Sequence, residues 1–263
     1  MSPSTSSSTA VRLNKAIAAS GLCSRRKADD LIAQGRVAVN GHPAQDMGLR
    51  VDPHQDIIEV DGTPVSSPSA PGQTEHVTIL LHKTVRTVCT VSDPQGRTTV
   101  LDLLPEHVRK RRVVPVGRLD YFSEGLLLLT TDGDLVYRLT HPKWHVPKLY
   151  NVLVRGDVTQ ESLERIQQGM RLKEGEKLAP VEVSAQKAGR DTTWLSMRLI
   201  QGINRQIRRM CRDLDLTILK LIRVQEGPIA LGTLPKGHVR ELSPDELYAL
   251  RTAVGLEDRP PRS

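Results

Sequence analysis

The stretch VGRLDYFSEGLLLLTTDGDL, residues 116–135, decides how this chain is read. Its four consecutive leucines, Leu126 to Leu129, form an apolar run without alternation, the pattern of a short, fully buried strand. Asp132-Gly133 supplies a turn signal at its end. Ahead of the leucines, Asp120 stands between Arg118 and the rings of Tyr121 and Phe122, bracketed by Gly117 and Gly125. A carboxylate is thereby set in a loop that feeds a buried strand, where a rigid scaffold can hold it in one place.

Moving outward, WLSMRLIQG (194–202) alternates at strand period, with Leu195, Met197 and Leu199 on one side. It leads into NRQIRRMCRDLDL (204–216), a helix pattern with Asn204 as the predicted N-cap and Ile207, Met210 and Leu214 on the buried face. Arg205, Arg208, Arg209 and Arg212 line the rest of it, and Arg205 in the first turn opposes the helix dipole. So dense a set of arginines needs anions. Phosphates answer that need, and a solvated charged face is the plain alternative. SPDELYAL (243–250) is a capped helix with Ser243 as N-cap, Pro244 in the first turn and Glu246 completing a capping box. Strands and helices interleave throughout, which predicts an α+β domain.

The segment SSPSAPGQTE (66–75) has linker composition and divides the chain. Before it, Leu13 and Ile17 share a helical face that ends at Gly21. Ser24 caps a second helix with Ala28, Leu31 and Ile32 inward, closed by Gly35. RVAVNG (36–41) then alternates into the turn pair Asn40-Gly41, and DIIEVDG (56–62) is a further strand. Arg25, Arg26 and Lys27 put three cations in a first helical turn, against the dipole, which makes sense where an RNA phosphate occupies the helix start. A solvated basic turn is the competing reading.

Bulk properties narrow the partners. Lys and Arg outnumber Asp and Glu by 37 to 30, for a formal charge of +7, which favours a polyanion. No apolar run exceeds four residues, far from the roughly 20 of a membrane span, so no membrane partner is expected. MSPSTSSSTA has no apolar core of a signal peptide; residues 1–10 are expected to be a disordered tail, residues 256–263 another, and the location cytoplasmic. Cys23, Cys89 and Cys211 are odd in number and far apart, giving neither disulfide framework nor zinc knuckle. His141 and His145 have ligand spacing, but Pro142 interrupts them and no acid sits beside either, so no metal is expected. Aromatics are 3% of the chain, too few for serial base stacking.

RLNKAIAASGLCSRRKADDLIAQGRVAVNG (12–41) resembles an S4 RNA-binding domain, of the small αL type, assigned to residues 11–65. GRLDYFSEGLLLLTTDG (117–133) together with QGINRQIRRMC (201–211) resembles the RsuA/RluB/RluF group of pseudouridine synthases, with a mixed-sheet catalytic domain expected over residues 76–255. The resemblance implies isomerisation of uridine to pseudouridine in ribosomal RNA, favouring 23S over 16S, without a cofactor; a monomer is expected. It places the catalytic nucleophile at Asp120, an active-site tyrosine at Tyr150 in KLYNVLVRG (148–156) and the arginine that pairs with the aspartate at Arg208, with Arg118 and Ile207 beside the substrate. Arg25, Arg26, Lys27, Arg205 and Arg209 are the expected RNA contacts. Departures from the group's pattern are Ser123 for a common Thr, HKTVR (82–86) without the usual Lys-Pro-x-Gly, and Ile203 at a position often basic.

The chemistry agrees with that assignment. Uracil must leave C1′, rotate and rejoin through C5, so one carboxylate can attack sugar or base, or stabilise an oxocarbenium-like sugar. A guanidinium neighbour favours the charged form of such a carboxylate, and a tyrosine ring can pack on the extruded base. RKRR (109–112) is a possible backbone grip. The main rival is a non-catalytic RNA-binding ribosome-assembly protein, in which Asp120 is structural. A hydrolase lacks support, since Ser123 has no Gly-x-Ser-x-Gly setting.

Overall fold

The computed structural model describes residues 10–65 and 76–256. They fall into two units that divide between Glu75 and His76. The expected linker and tails lie, apart from Ala10 and Leu256, outside the described residues.

In the first unit β1 (Val11–Arg12) runs into α1 (Leu13–Ala19), and α2 (Arg25–Ala33) follows after Gly21 turns the chain at φ 81°. Ser24 caps α2, its hydroxyl accepting the Lys27 N–H at 3.2 Å. β2 (Val37–Val39) and β3 (His42–Pro43) form a hairpin whose Asn40 and Gly41 both have positive φ, 51° and 78°, as its tight turn demands. β4 (Arg50–Val51) pairs with β1, while β5 (Ile58–Val60) joins β2 and carries β6 (Thr63–Pro64). Leu13, Ile17, Ala28 and Ile32 close one core against Val37, Val51 and Ile58. Arg25, Arg26 and Lys27 are exposed on the first turn of α2.

The second unit contains β7 (Thr78–Lys83), α3 (Glu106–Arg109), β8 (Val114–Pro115), β9 (Glu124–Thr130), α4 (Gly133–Thr140), β10 (Lys148–Arg155), α5 (Gln160–Gln168), β11 (Glu182–Lys187), β12 (Thr192–Leu199), α6 (Gln206–Asp213), β13 (Thr217–Glu226), β14 (Ile229–Ala230), β15 (Val239–Glu241) and α7 (Pro244–Ala253). Seven strands form the main path of a mixed sheet in the order β11-β12-β10-β13-β9-β7-β15, with β14 added to β13 and β8 to β9. Every pairing is antiparallel except β9 with β13, which meet in parallel over two residue pairs only. That short seam divides the sheet into two antiparallel halves. The backbone of Arg223 comes so close to Gly125 there that a Cβ at position 125 would collide with it, and Gly125 has φ 111°, which disfavours any side chain.

The unalternating leucines have a direct cause. Leu126 and Leu128 pack into one core cluster with Leu135 and Leu139 of α4, and Leu127 and Leu129 into another with Val100, Leu104 and Val108. Both faces of β9 are covered, so no polar position is needed along it.

Two local expectations change. Asp132-Gly133 is not a free turn, because the Asp132 carboxylate caps α4, accepting the N–H groups of Asp134 and Leu135 at 3.0 Å each, and takes the Arg251 guanidinium as well. Asn204 does not cap α6. The chain enters that helix through Arg205 in left-handed conformation, φ 51°, with the Gln206 N–H donating to the Ile203 carbonyl at 3.2 Å. That tight turn moves the helix start one residue past the predicted cap and leaves it without a side-chain cap. The Ser243 capping box on α7 forms as its spacing predicts.

Candidate active site

Asp120 lies on the loop before β9, and the loop is tied down from beneath by one cation. Lys83, fully buried at the end of β7, donates from Nζ to the carbonyls of Thr84 (2.9 Å), Asp120 (3.2 Å) and Ser123 (2.8 Å). Burial lowers the Lys83 pKa, with Cys89, Asp120 and Glu124 pulling it the other way. The Arg86 N–H adds a bond to the Tyr121 carbonyl at 2.7 Å, and the Leu119 N–H reaches the Cys89 sulfur at 3.3 Å. The HKTVR segment, despite its departure from the group's pattern, therefore fixes the backbone at Asp120 and just after it, while Cys89 holds the preceding residue.

From the opposite side α6 supplies the counter-charge. Arg208 Nε stands 3.2 Å from Asp120 Oδ2, and its Nη2 donates to the Phe122 carbonyl (2.9 Å) and Ser123 Oγ (3.0 Å). One guanidinium thus binds the carboxylate and the backbone that carries it. Arg205 Nη1 approaches the same Oδ2 at 3.6 Å. The Asp120 side chain keeps 28% of its surface exposed, so its pairing leaves a face open to a reactant. The remaining arginines of the helix turn elsewhere: Arg209 pairs with Glu176 and Glu174 at 2.6 and 3.4 Å, and Arg212 with Glu174 and Asp213 at 2.6 and 2.7 Å.

The floor comes from β10 and β13. Between the pairs Leu149–Gln225 and Tyr150–Arg223 one residue, Val224, bulges out of β13, so Arg223 and Glu226 reach the same face despite being three apart. Lys148 and Tyr150 oppose them. The result is a buried charge set: Arg223 pairs with Glu226 at 3.2 Å and Lys148 with Glu226 at 3.5 Å. Burial works against the Arg223 charge, yet Glu226 and Tyr150 more than offset it and hold its pKa above the ordinary arginine value. Burial raises the Tyr150 pKa, with Arg223 opposing, so the hydroxyl keeps its proton beyond the usual tyrosine range.

These walls enclose a cleft of about 200 Å³ lined by Asp120, Arg118, Tyr150, Ile207 and Arg208, among others. The cleft brings together the residues expected at the substrate, with Arg205 at its edge, and lies wholly in the second unit; Arg209 is not among its lining residues, and Arg25, Arg26 and Lys27 belong to the first. His141 accepts the Lys143 N–H at 3.2 Å and packs its ring on Tyr137 and Trp144 at 5.0 and 5.5 Å, a structural use for that histidine. Sequence reasoning passed over Lys83, Lys148, Gln206, Arg223 and Glu226. A charged residue inside an apolar strand, as in TILLHK or TILKLIRVQE, is the signal that could have raised the strand residues among them.

Comparison with known proteins follows the same division. A family model described as RNA pseudouridylate synthase matches residues 77–213, and an S4 domain model matches residues 11–58. An uncharacterized RNA pseudouridine synthase of Aquifex aeolicus is 39% identical over 94% of this chain and 96% of its own. The ribosomal large subunit pseudouridine synthase B of Bacillus subtilis is 37% identical over 91% of this chain and 95% of its own. A pseudouridylate synthase of known crystal structure superposes with a TM-score of 0.63 at 25% identity, over 91% of this chain and 99% of that one. With the synthase model covering more than half of its length and relatives matching nearly end to end, this chain belongs to the RNA pseudouridine synthase family and is an enzyme of that class, carrying an S4 domain ahead of the catalytic one.

Proposed function

We propose that this enzyme isomerises a uridine of ribosomal RNA, in 23S in preference to 16S, with Asp120 as the nucleophile. The observation that carries the reading is the Asp120–Arg208 pair at 3.2 Å, on a loop pinned from below and open on one side to a cleft shared with Tyr150. A carboxylate so held needs no reorganisation to meet C1′ or the base as the glycosidic bond breaks. Arg208 keeps the acid paired without covering it. The Tyr150 ring forms a flat wall for the extruded base, and its protonated hydroxyl stands beside Arg223, while Arg118 and Ile207 line the same cleft. Arg25, Arg26, Lys27 and Arg205 contact phosphates; Arg209 joins them only by giving up its two glutamates. The preference for 23S rests on the large-subunit synthases that resemble the chain in Bacillus subtilis and Pseudomonas aeruginosa. The enzyme acts as a cytoplasmic monomer.

The test is pseudouridine mapping on 23S and 16S transcripts by carbodiimide-dependent primer stops. The wild type is expected to create a stop in 23S RNA, and Asp120→Asn to abolish it, a loss of at least about 10³-fold, while RNA binding persists. Stops made equally well by Asp120→Asn would refute the nucleophile.

A further inference from the structure

One side chain in the cleft has no partner at all. Gln206, the first residue of α6, lines the cleft with Asp120, Tyr150 and Arg208, is only 4% exposed, and finds no hydrogen-bond partner for either its amide nitrogen or its amide oxygen. A buried primary amide with donor and acceptor both idle costs stability, and an apolar side chain of the same length would avoid that cost. Of the charged groups that line the cleft with it, Arg208 is paired with Asp120, Lys148 with Glu226, and Arg223 Nη2 with Glu226 Oε2 in an ion pair at 3.2 Å, though those two atoms make no hydrogen bond. Gln206 is itself one of the residues that line the cleft, so a molecule bound there is the partner within reach once the side chain turns its amide toward it.

We infer that Gln206 is the anchor of the uracil base, gripping its N3–H and one flanking carbonyl before the base turns and its N3–H and the other carbonyl afterwards; this rests on the reaction proposed above. A carboxamide sets an acceptor beside a donor, and the imide edge of uracil sets a donor, N3–H, between two acceptors, C2=O and C4=O. Oε1 therefore takes N3–H and Nε2 donates to a carbonyl. The symmetry of the base makes this grip useful. A half-turn of uracil about the line through N3 and C6 exchanges N1 with C5 and C2=O with C4=O, and returns N3–H to its place. The amide meets one and the same pattern before and after rotation. In between, the C1′–N1 bond breaks and the C1′–C5 bond forms, C5 gives up its proton and N1 gains one. Gln206 exchanges neither atoms nor electrons, and its Nε2–H donates to the carbonyl oxygen over which the charge of the detached base spreads.

The experiment is single-turnover release of tritium from [5-³H]uridine-labelled 23S transcript by the full chain, comparing wild type, Asp120→Asn, Gln206→Met and Gln206→Leu. Both Gln206 variants are expected to slow release roughly ten- to a hundredfold, because a site built to bond a polar edge loses most when one side of the bond is missing. Retention of RNA on filters should stay within about twofold of wild type, since phosphate contacts carry it. Melting temperature should hold or rise, which a structural glutamine would not allow. Wild-type release rates in both variants, or a clear fall in melting temperature in both, would overturn the anchor while leaving Asp120 in place if Asp120→Asn is dead. No release by the wild type from 23S or 16S transcript would remove the ribosomal substrate and the anchor together.

Discussion

Two helix starts in this chain look alike on paper and behave oppositely in the fold. SRRK at residues 24–27 and NRQIRR at 204–209 each put a capping-type residue ahead of a cluster of cations, in the wrong sense for the helix dipole. At α2 the serine caps and Arg25, Arg26 and Lys27 stand exposed. At α6 the asparagine does not cap, the backbone turns through a left-handed arginine, and Arg208 points inward onto Asp120 and the Phe122 carbonyl. What separates them is what lies opposite. α6 faces a loop, 86 residues away in sequence from Arg208 to Phe122, that presents a carboxylate and a spare carbonyl. At α2 the three cations stay outward, with Arg25 making only a long bond to Asn14 Oδ1 at 3.5 Å, and among the described residues no carboxylate draws them in.

The contrast can be broken most severely at the base of the inward region. Lys83→Met leaves three loop carbonyls short of a donor, which should cost roughly 1–3 kcal/mol of stability and, by loosening Asp120, on the order of 100-fold in single-turnover rate. RNA affinity should be unchanged in filter binding; an active Lys83→Met enzyme would show that the loop is held by its other contacts. The outward region predicts the reverse. Changing Arg25, Arg26 and Lys27 together to Gln should leave the melting temperature within about 1 °C and the chemical step intact, while the log–log salt dependence of binding becomes shallower by roughly 2–3. An unchanged slope would mean that these cations are only solvated. The smallest effect is a titration. Burial lifts the Cys211 thiol, on the inner face of α6, from 9.0 to about 12. The folded chain then holds a proton that the unfolded chain has lost, so this group's share of stability is complete below pH 9.0 and disappears as pH rises toward 12. Chemical denaturation of Cys211→Ala across that range should show a flatter alkaline decline than wild type.

The first unit was legible because its signals are local. Gly21, Ser24, Gly35 and the Asn40-Gly41 pair act within a few residues of themselves, and each takes the conformation that its type suggests. In the site, Asp120, Arg208 and Tyr150 were legible through motifs, and the cleft does gather them. Lys83 was not, since the carbonyls it serves at Asp120 and Ser123 lie 37 and 40 residues on, and TILLHK reads as an ordinary strand end. Arg223 and Glu226 were hidden by the Val224 bulge, because strict alternation assigns residues three apart to opposite faces. The Asn204 cap failed for a similar reason: the turn at Arg205 is dictated by where β12 delivers the chain, and a capping propensity of about 1 kcal/mol yields to that.

The seam at Gly125 has a consequence for how such an enzyme can be damaged. Asp120 precedes one half of the sheet and Tyr150 sits in the other, and their separation is gauged where the backbones of Gly125 and Arg223 touch. A single methyl at position 125 would work as a wedge, prising acid from ring while both remain chemically whole. One vulnerable position near this cleft therefore belongs to a residue with no side chain, which a census of reactive groups would pass over.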